Sequence, residues 1–271
     1  MISFVGAGPG APDLITLRGA ARLARADVVI WASSLVPEAV LGHCRPGVEV
    51  HDSATMTLED VLAVYAAHPE AAPIVRLHSG DPAIYGAIAE QMEWCLAQER
   101  SFEVVPGVSS VAAAAATLAR ELTVPGVSQS VVLTRLAGRT AASMPPGEGV
   151  AAFAPHGATM AVFLSAARPD ELATELLAPG SGYGPDTPAA VVVRASWPDE
   201  TVVRTTVGRL AEDLRATGAT MTALVLVGEA LAGGPVARRS HLYEPTYSTA
   251  YRLRSSAGST QGRPSARRDR Q

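Results

Sequence analysis

The chain of 271 residues contains no lysine, and all 22 of its basic residues are arginine. That absence excludes chemistry built on a lysine amine: Schiff-base catalysis, pyridoxal phosphate catalysis and phosphate binding by a P-loop. Cysteine is scarce. Cys44 and Cys95 can form one disulfide at most, and neither has a Cys-x-x-Cys partner, so two buried reduced thiols are expected and no metal site. Long apolar runs are missing too. The best one, residues 150–166, is broken by Pro155, His156 and Gly157, so no membrane-spanning helix is expected. The opening MISFVGAGPG has neither a basic start nor a cleavage pattern; no signal peptide is read there, and a cytoplasmic location is expected.

Positive charge is in short supply except at one end. Residues 248–271 hold six arginines against one aspartate, which leaves 16 arginines against 25 carboxylates for residues 1–247. Phosphate binding needs a basic surface, so nucleic acid is not an expected partner of this acidic body. The tail, rich in Ser, Gly and Arg and poor in large apolar groups, is expected to be disordered.

What is present is an α/β pattern. Over residues 1–122, apolar strand-like runs (ISFV, VVIWA, the run from Ile74, FEVV) alternate with helical segments, which points to a mainly parallel sheet covered on both faces. Thr16 is placed to cap a helix through Leu17 and Leu23. Thr57 and Asp60 have the spacing of a capping box, with Leu58, Val61, Leu62 and Tyr65 on one face. An alanine-rich helix is predicted from Ser109 to Arg120. Over residues 123–247 the rhythm changes to five strand candidates, VSQSVVLTR, TMAVFLSA, PAAVVVRAS, ETVVRTTVG and TALVLVG, with helices between only some of them. The short link from Val193 to Val203 predicts a hairpin, and therefore a mixed second sheet. Two α/β domains with a cleft between them are expected, and such a cleft is the default place for a site.

The segment IVRLHSGDPAIYGAIAEQM, Ile74 to Met92, is the most telling. A strand breaks at Gly80-Asp81-Pro82, and Ile84, Ile88 and Met92 then recur at helical spacing, so a helix is predicted from Pro82 with Asp81 as its N-cap. Taken alone, the tripeptide reads first as a plain turn and only second as a ligand-binding strand end. GAGPG at Gly6–Gly10 invites a dinucleotide reading, but the third glycine of G-x-G-x-x-G would fall on Ala11. The strand that should end in a ribose-binding acid ends instead at Ala32-Ser33-Ser34.

With GAGPG, SGDPAIYG and VVPGVSS in that order, the chain resembles the tetrapyrrole (corrin and porphyrin) methylase family, which transfers methyl groups from S-adenosylmethionine. Longer segments, WASSLVP at Trp31–Pro37, MTLED at Met56–Asp60, PGVSSVAAAAA at Pro106–Ala116 and VSQSVVLTRLAGRT at Val127–Thr140, direct the resemblance to the corrin branch and to methylation at ring carbon 11. The resemblance runs collinearly over residues 1 to about 247. It implies S-adenosylmethionine held between two domains largely by backbone groups, a tetrapyrrole substrate and a homodimer. Carried over by position, it implies cofactor contacts at Pro9, at Ser79, Gly80, Asp81 and Ile84, and at Ser109 and Ser110. In the second half it implies Leu164, Ala195, Thr222 and Ala223, for which core packing is the competing explanation. The family's substrate carries several carboxylates, which arginine binds well. Arg135 and Arg139, in a glycine-containing loop, are the leading substrate contacts, against the alternative of solvent-exposed loop arginines. Tyr85 either lines the cavity or caps the core. His78, beside the motif, suits a structural role at least as well as a catalytic one, and no catalytic base is named.

Overall fold

The computed structural model describes residues 1–137, 142–234 and 239–265. The first sheet holds five strands, β1 (Ile2–Gly6), β2 (Val28–Trp31), β3 (Glu49–Asp52), β4 (Ile74–His78) and β5 (Phe102–Val105), in the order β3-β2-β4-β1-β5. Every neighbouring pair is parallel. The interior strands β2, β4 and β1 are buried on both faces, which is why their residues read as nearly continuous apolar runs. Ile2, Phe4, Ile30 and Ile74 face α2 (Leu58–Ala67) and α3 (Ala89–Ala97) and pack on Val61, Tyr65 and Cys95. Val5, Val29, Val75, Leu77 and Val105 face the other way, toward Leu23 of α1 (Leu17–Leu23), Val36 of the turn after β2 and Val40 of a short 3₁₀ segment (Glu38–His43). Each fully buried side chain of this size contributes about 1.5–3 kcal/mol.

The helix starts follow the predicted caps. Thr16 accepts from the Gly19 amide at 3.1 Å. Thr57 and Asp60 form the reciprocal capping box at the start of α2. Ser109 accepts from the Val111 amide at 3.3 Å and caps α4 (Ser110–Leu118).

One prediction needs correction: the helix after Gly-Asp-Pro does not begin at Pro82. Residues 82–85 make a single turn, Tyr85 and Ala87 take positive φ (56° and 49°), and α3 begins only at Ala89. Asp81 therefore closes a turn onto the Ala83 amide (2.8 Å) and caps no helix. Cys44 is half-buried and Cys95 buried, and both are free thiols.

The second sheet has the order β6-β7-β10-β8-β9, formed by β6 (Val131–Arg135), β7 (Thr159–Phe163), β8 (Pro188–Val193), β9 (Thr201–Thr206) and β10 (Ala223–Val227). It is mixed: β6 and β7 are parallel, the other pairs antiparallel, and β8–β9 is the predicted hairpin. One face packs on α5 (Val150–Phe153), α6 (Pro169–Leu176) and α7 (Leu210–Ala216) through Val150, Leu172, Leu176, Leu210 and Leu214. The other face is covered by α4. Val111, Ala113, Ala114 and Leu118 meet Ala161, Ala190, Val192, Leu224 and Leu226, and the small alanines on both sides let helix and sheet approach closely. A helix that follows the last strand of the first sheet thus becomes a wall of the second.

Where composition implied disorder, β11 (Arg252–Leu253) pairs antiparallel with β12 (Arg263–Pro264). Arginine does local work there: Arg252 donates to the carbonyls of Glu244 (3.0 Å) and Tyr247 (3.3 Å), and Arg263 to that of Arg254 (3.0 Å). Among the described residues, no helix is long and apolar enough to cross a membrane.

Candidate functional site at the junction of the two sheets

Because β4, β1 and β5 are neighbours, the three glycine-bearing segments noted in the sequence end on three adjacent strands at their carboxyl ends. That is the edge of a parallel sheet where ligands bind. The loops are pressed together. A Cβ on Gly6 would lie 2.5 Å from the Gly107 Cα and 2.6 Å from the Gly80 carbonyl oxygen, so only glycine fits there. Gly8 and Gly80 exchange backbone hydrogen bonds, 2.8 Å from the Gly80 amide and 3.3 Å from the Gly8 amide. Asp81 ties the third loop in, its Oδ2 accepting from the Gly107 amide at 2.9 Å. Pro9 and Gly80 are buried, while Ser79, Asp81, Ile84, Ser109 and Ser110 are half-buried. Gly80, at φ 63°, faces the Ser110 amide and Ser109 Cα at 3.7 and 3.8 Å from where a Cβ would sit, so a shallow cradle of small groups remains.

The second sheet brings its expected residues together as well. Leu164 follows β7, Arg194 to Ser196 follow β8, and Thr222 precedes β10. The antiparallel registers set these three points side by side, and the Arg194 amide donates to the Thr222 carbonyl at 2.8 Å. Leu164, Arg194, Ser196 and Thr222 all take positive φ, between 52° and 64°. Such backbone costs about 1–3 kcal/mol per residue and collects where function requires it. Core packing does not account for Leu164, whose side chain is 63% exposed; it does account for Ala195, which lies in the core beside α4.

The two edges face each other across direct contacts. The Trp197 indole donates to the Pro9 carbonyl at 3.0 Å, the Ala11 amide donates to Ser196 Oγ at 3.0 Å, and the rings of Tyr85 and Phe163 lie 5.0 Å apart. Trp197 and Ser196 were not among the residues expected from the sequence. Their signal was an aromatic residue placed in the polar turn RASWPDE, with nothing local to say what it touches.

Tyr85 and Arg135 share a cavity of about 320 Å³, completed by Thr134, Ser143, Glu148 and Phe153. Arg135 is the last residue of β6, is 9% exposed, and donates to the Ala137 carbonyl (3.3 Å) and Ser143 Oγ (3.0 Å), so it is not a solvent-exposed loop arginine. Tyr85 is half exposed. Burial raises its phenol pKa, with Arg135 opposing and Glu148 reinforcing the shift. Arg139 lies outside the described residues. A larger cavity of about 500 Å³ sits at the opposite end of β8, near Pro188. Its arginines already serve the structure there: Arg120 donates to the carbonyls of Leu231 and Ala119, Arg204 to that of Leu118, and Arg209 pairs with Asp213. It is therefore set apart from the site.

His78 is buried beside Phe4, with ring centroids 6.2 Å apart. Desolvation, reinforced by the neighbouring Arg76, lowers its pKa to about 3. A neutral, enclosed imidazole is a structural residue and a poor general base near neutrality. No group of three metal-ligating side chains occurs among the described residues.

Comparison with known proteins shows the family. Residues 1–211 match the family model of the Tetrapyrrole (Corrin/Porphyrin) Methylases, and the chain belongs to that family. Within it, the chain is 46% identical over 248 residues to a precorrin-4 C(11)-methyltransferase of Rhodococcus erythropolis, covering 90% of this chain and 97% of that relative. Among solved structures it is similar to a cobalt precorrin-4 methyltransferase, a cobalamin biosynthetic enzyme, with TM-score 0.81 and 43% identity over 86% of this chain and 96% of that one. It is also similar to a uroporphyrin-III C-methyltransferase of Thermus thermophilus complexed with S-adenosylhomocysteine, with TM-score 0.67 and 30% identity over 85% and 92% of the two chains.

Proposed function

We propose that this chain transfers a methyl group from S-adenosylmethionine to carbon 11 of precorrin-4, or of its cobalt-containing form, in cobalamin biosynthesis. The observation that carries the reading is the meeting of two strand-end edges, the glycine loops Gly6–Gly10 and Ser79–Asp81 on one side and Leu164, Ala195 and Thr222 on the other, in a chain so similar to precorrin-4 methyltransferases.

The residues fit such a cofactor. A zwitterionic amino acid, a sulfonium and an adenine need small groups, polar backbone and one apolar wall. The cradle at Gly80 supplies the first, the hydroxyls of Ser79, Ser109, Ser110 and Thr222 add polar partners, and exposed Leu164 with Ile84 and Ala223 offers apolar surface. Pro9, Asp81 and Ala195 frame the opening by holding the loops. S-adenosylmethionine supplies an electrophilic methyl group, and the protein's share is binding, orientation and exclusion of water. Correct placement of reactants is worth about 7–11 kcal/mol of barrier, so no triad is required. Arg135 binds a substrate carboxylate by charge-assisted hydrogen bonds, Tyr85 gives the ring system an aromatic face, and Arg139, outside the described residues, is proposed as a second carboxylate partner on the sequence resemblance alone. The same reading carries a cytoplasmic homodimer; light scattering of the purified chain tests the dimer.

The decisive experiment supplies methyl-labelled S-adenosylmethionine and precorrin-4 or its cobalt-containing form. One added methyl with the label at carbon 11 by NMR is expected. Label at another ring position, or none, overturns the assignment.

A further inference from the structure

We infer that Trp197 is the positioning residue that sets the height of the Pro9–Gly10 backbone over the cofactor cleft. The inference rests on the function proposed above and concerns a residue that neither touches the reacting atoms nor belongs to the expected contact set.

The geometry is specific. The Trp197 indole N–H donates to the Pro9 carbonyl at 3.0 Å. Its ring occupies the space beside Gly10, where any Cβ would overlap Trp197 Cδ1 and come within 2.9 Å of the Ala195 carbonyl oxygen. The Arg194 guanidinium stacks over the indole with 3.9 Å to the centroid and is itself held by Asp199 Oδ1 at 2.7 Å. A second tether runs beside the first: the Ala11 amide donates to Ser196 Oγ, and the Ser196 amide donates to Glu200 Oε2 at 2.6 Å. The same carboxylate oxygen accepts from Thr117 Oγ1 at 3.1 Å, which fixes the loop to α4. Arg194 and Ser196 flank Ala195 in left-handed backbone, a conformation that persists only where its surroundings over-determine it.

Each partner in this chain of contacts belongs to a different strand end. Pro9 and Gly10 follow β1, Trp197 follows β8, and Thr117 lies on the helix after β5. Pro9 has no N–H of its own, so its carbonyl is the handle by which the second sheet can hold that stretch of loop. Without the indole N–H, the buried carbonyl loses its partner and the loop its fixed distance from Ala195 and Thr222.

The test is the affinity for S-adenosylhomocysteine by calorimetry, read beside steady-state kinetics. Trp197→Phe keeps an aromatic ring for Gly10 and Arg194 but removes the donor. It is expected to weaken binding about tenfold, the scale of one hydrogen bond, and to raise KM for S-adenosylmethionine while kcat and KM for the ring substrate stay within about twofold. Ser196→Ala, which removes only the parallel tether, gives a smaller loss in the same direction and serves should Trp197→Phe not fold. Wild-type affinity in a folded Trp197→Phe, or equal losses for both substrates, overturns the inference. A wild-type protein that binds no S-adenosylhomocysteine overturns the proposed function, and this inference with it.

Discussion

Asp81 and Gly107 are joined by a hydrogen bond from the Gly107 amide to the carboxylate Oδ2, at 2.9 Å, while the other carboxylate oxygen takes the Ala83 amide at 2.8 Å. The acid thus fastens the turn after β4 to the turn after β5. Asp81→Ala leaves two amides without their partner, and a loss of about 1–3 kcal/mol in unfolding free energy is expected, with weaker binding of S-adenosylhomocysteine. Asp81→Asn keeps one acceptor oxygen and falls between. Denaturant titration and calorimetry on the three proteins check the order.

Gly107 and Gly80 look equivalent in sequence and are not. A Cβ on Gly107 would overlap the Gly80 carbonyl oxygen, whereas one on Gly80 meets only ordinary contacts, from 3.7 Å outward. Gly107→Ala is expected to cost about 3 kcal/mol or more, because backbone cannot yield as a side chain does. Gly80→Ala costs about 1–2 kcal/mol for its positive φ, and its methyl group fills the cradle before Ser109 and Ser110. It should stay folded and bind S-adenosylhomocysteine poorly. Thermal unfolding separates the two variants, and ligand titration of Gly80→Ala tests the cradle.

Burial of neutral His78 makes stability fall on acidification. Its folded pKa, about 3, lies below the ordinary 6.5, so between those values the unfolded chain binds a proton that the folded one refuses. Stability from this residue is complete above pH 6.5 and is lost at about 1.4 kcal/mol per pH unit as pH falls through that window. Carboxylates with lowered pKa, such as Glu103 paired with Arg22, act in the same direction, but only below their ordinary value of 4.5. His78→Leu is expected to flatten the pH dependence of Tm between pH 6.5 and 4.5. An unchanged slope would show that the imidazole is not enclosed.

Arg135 should separate the two ligands. Its guanidinium borders the cavity with Tyr85, and a charge-assisted hydrogen bond to a substrate carboxylate is worth about 1.5–3 kcal/mol. Arg135→Ala is expected to lower kcat/KM for the ring substrate by about 10- to 100-fold while affinity for S-adenosylhomocysteine holds. Arg135→Lys, without the planar fork, recovers part of the loss. Tm measured on both variants accounts for the contacts to Ala137 and Ser143.

Much of the frame was legible because its signals are local. The Thr57–Asp60 box, the Ser109 cap and the β8–β9 hairpin each depend on residues within a few positions of one another. Strand β3 was missed because Glu49–Asp52 is a mostly exposed edge strand with polar side chains at three of its four positions, which carries no core pattern. The start of α3 was misplaced because Tyr85 and Ala87 adopt left-handed backbone that their identities disfavour. At the site, the three glycine loops could be named from sequence, but their neighbourhood follows from the strand order. Trp197 was invisible because its partner, Pro9, lies 188 residues away.

The position of α4 also bears on how the molecule can be divided. A chain cut near residue 122 would carry away Val111, Ala113, Ala114 and Leu118 with no surface to cover, and would strip the lid from Ala190, Val192, Leu224 and Leu226. Either fragment would expose an apolar face that the intact chain buries, so the two halves are expected to melt in one transition, and a cut placed before α4 is expected to leave the second half better covered than one near residue 122.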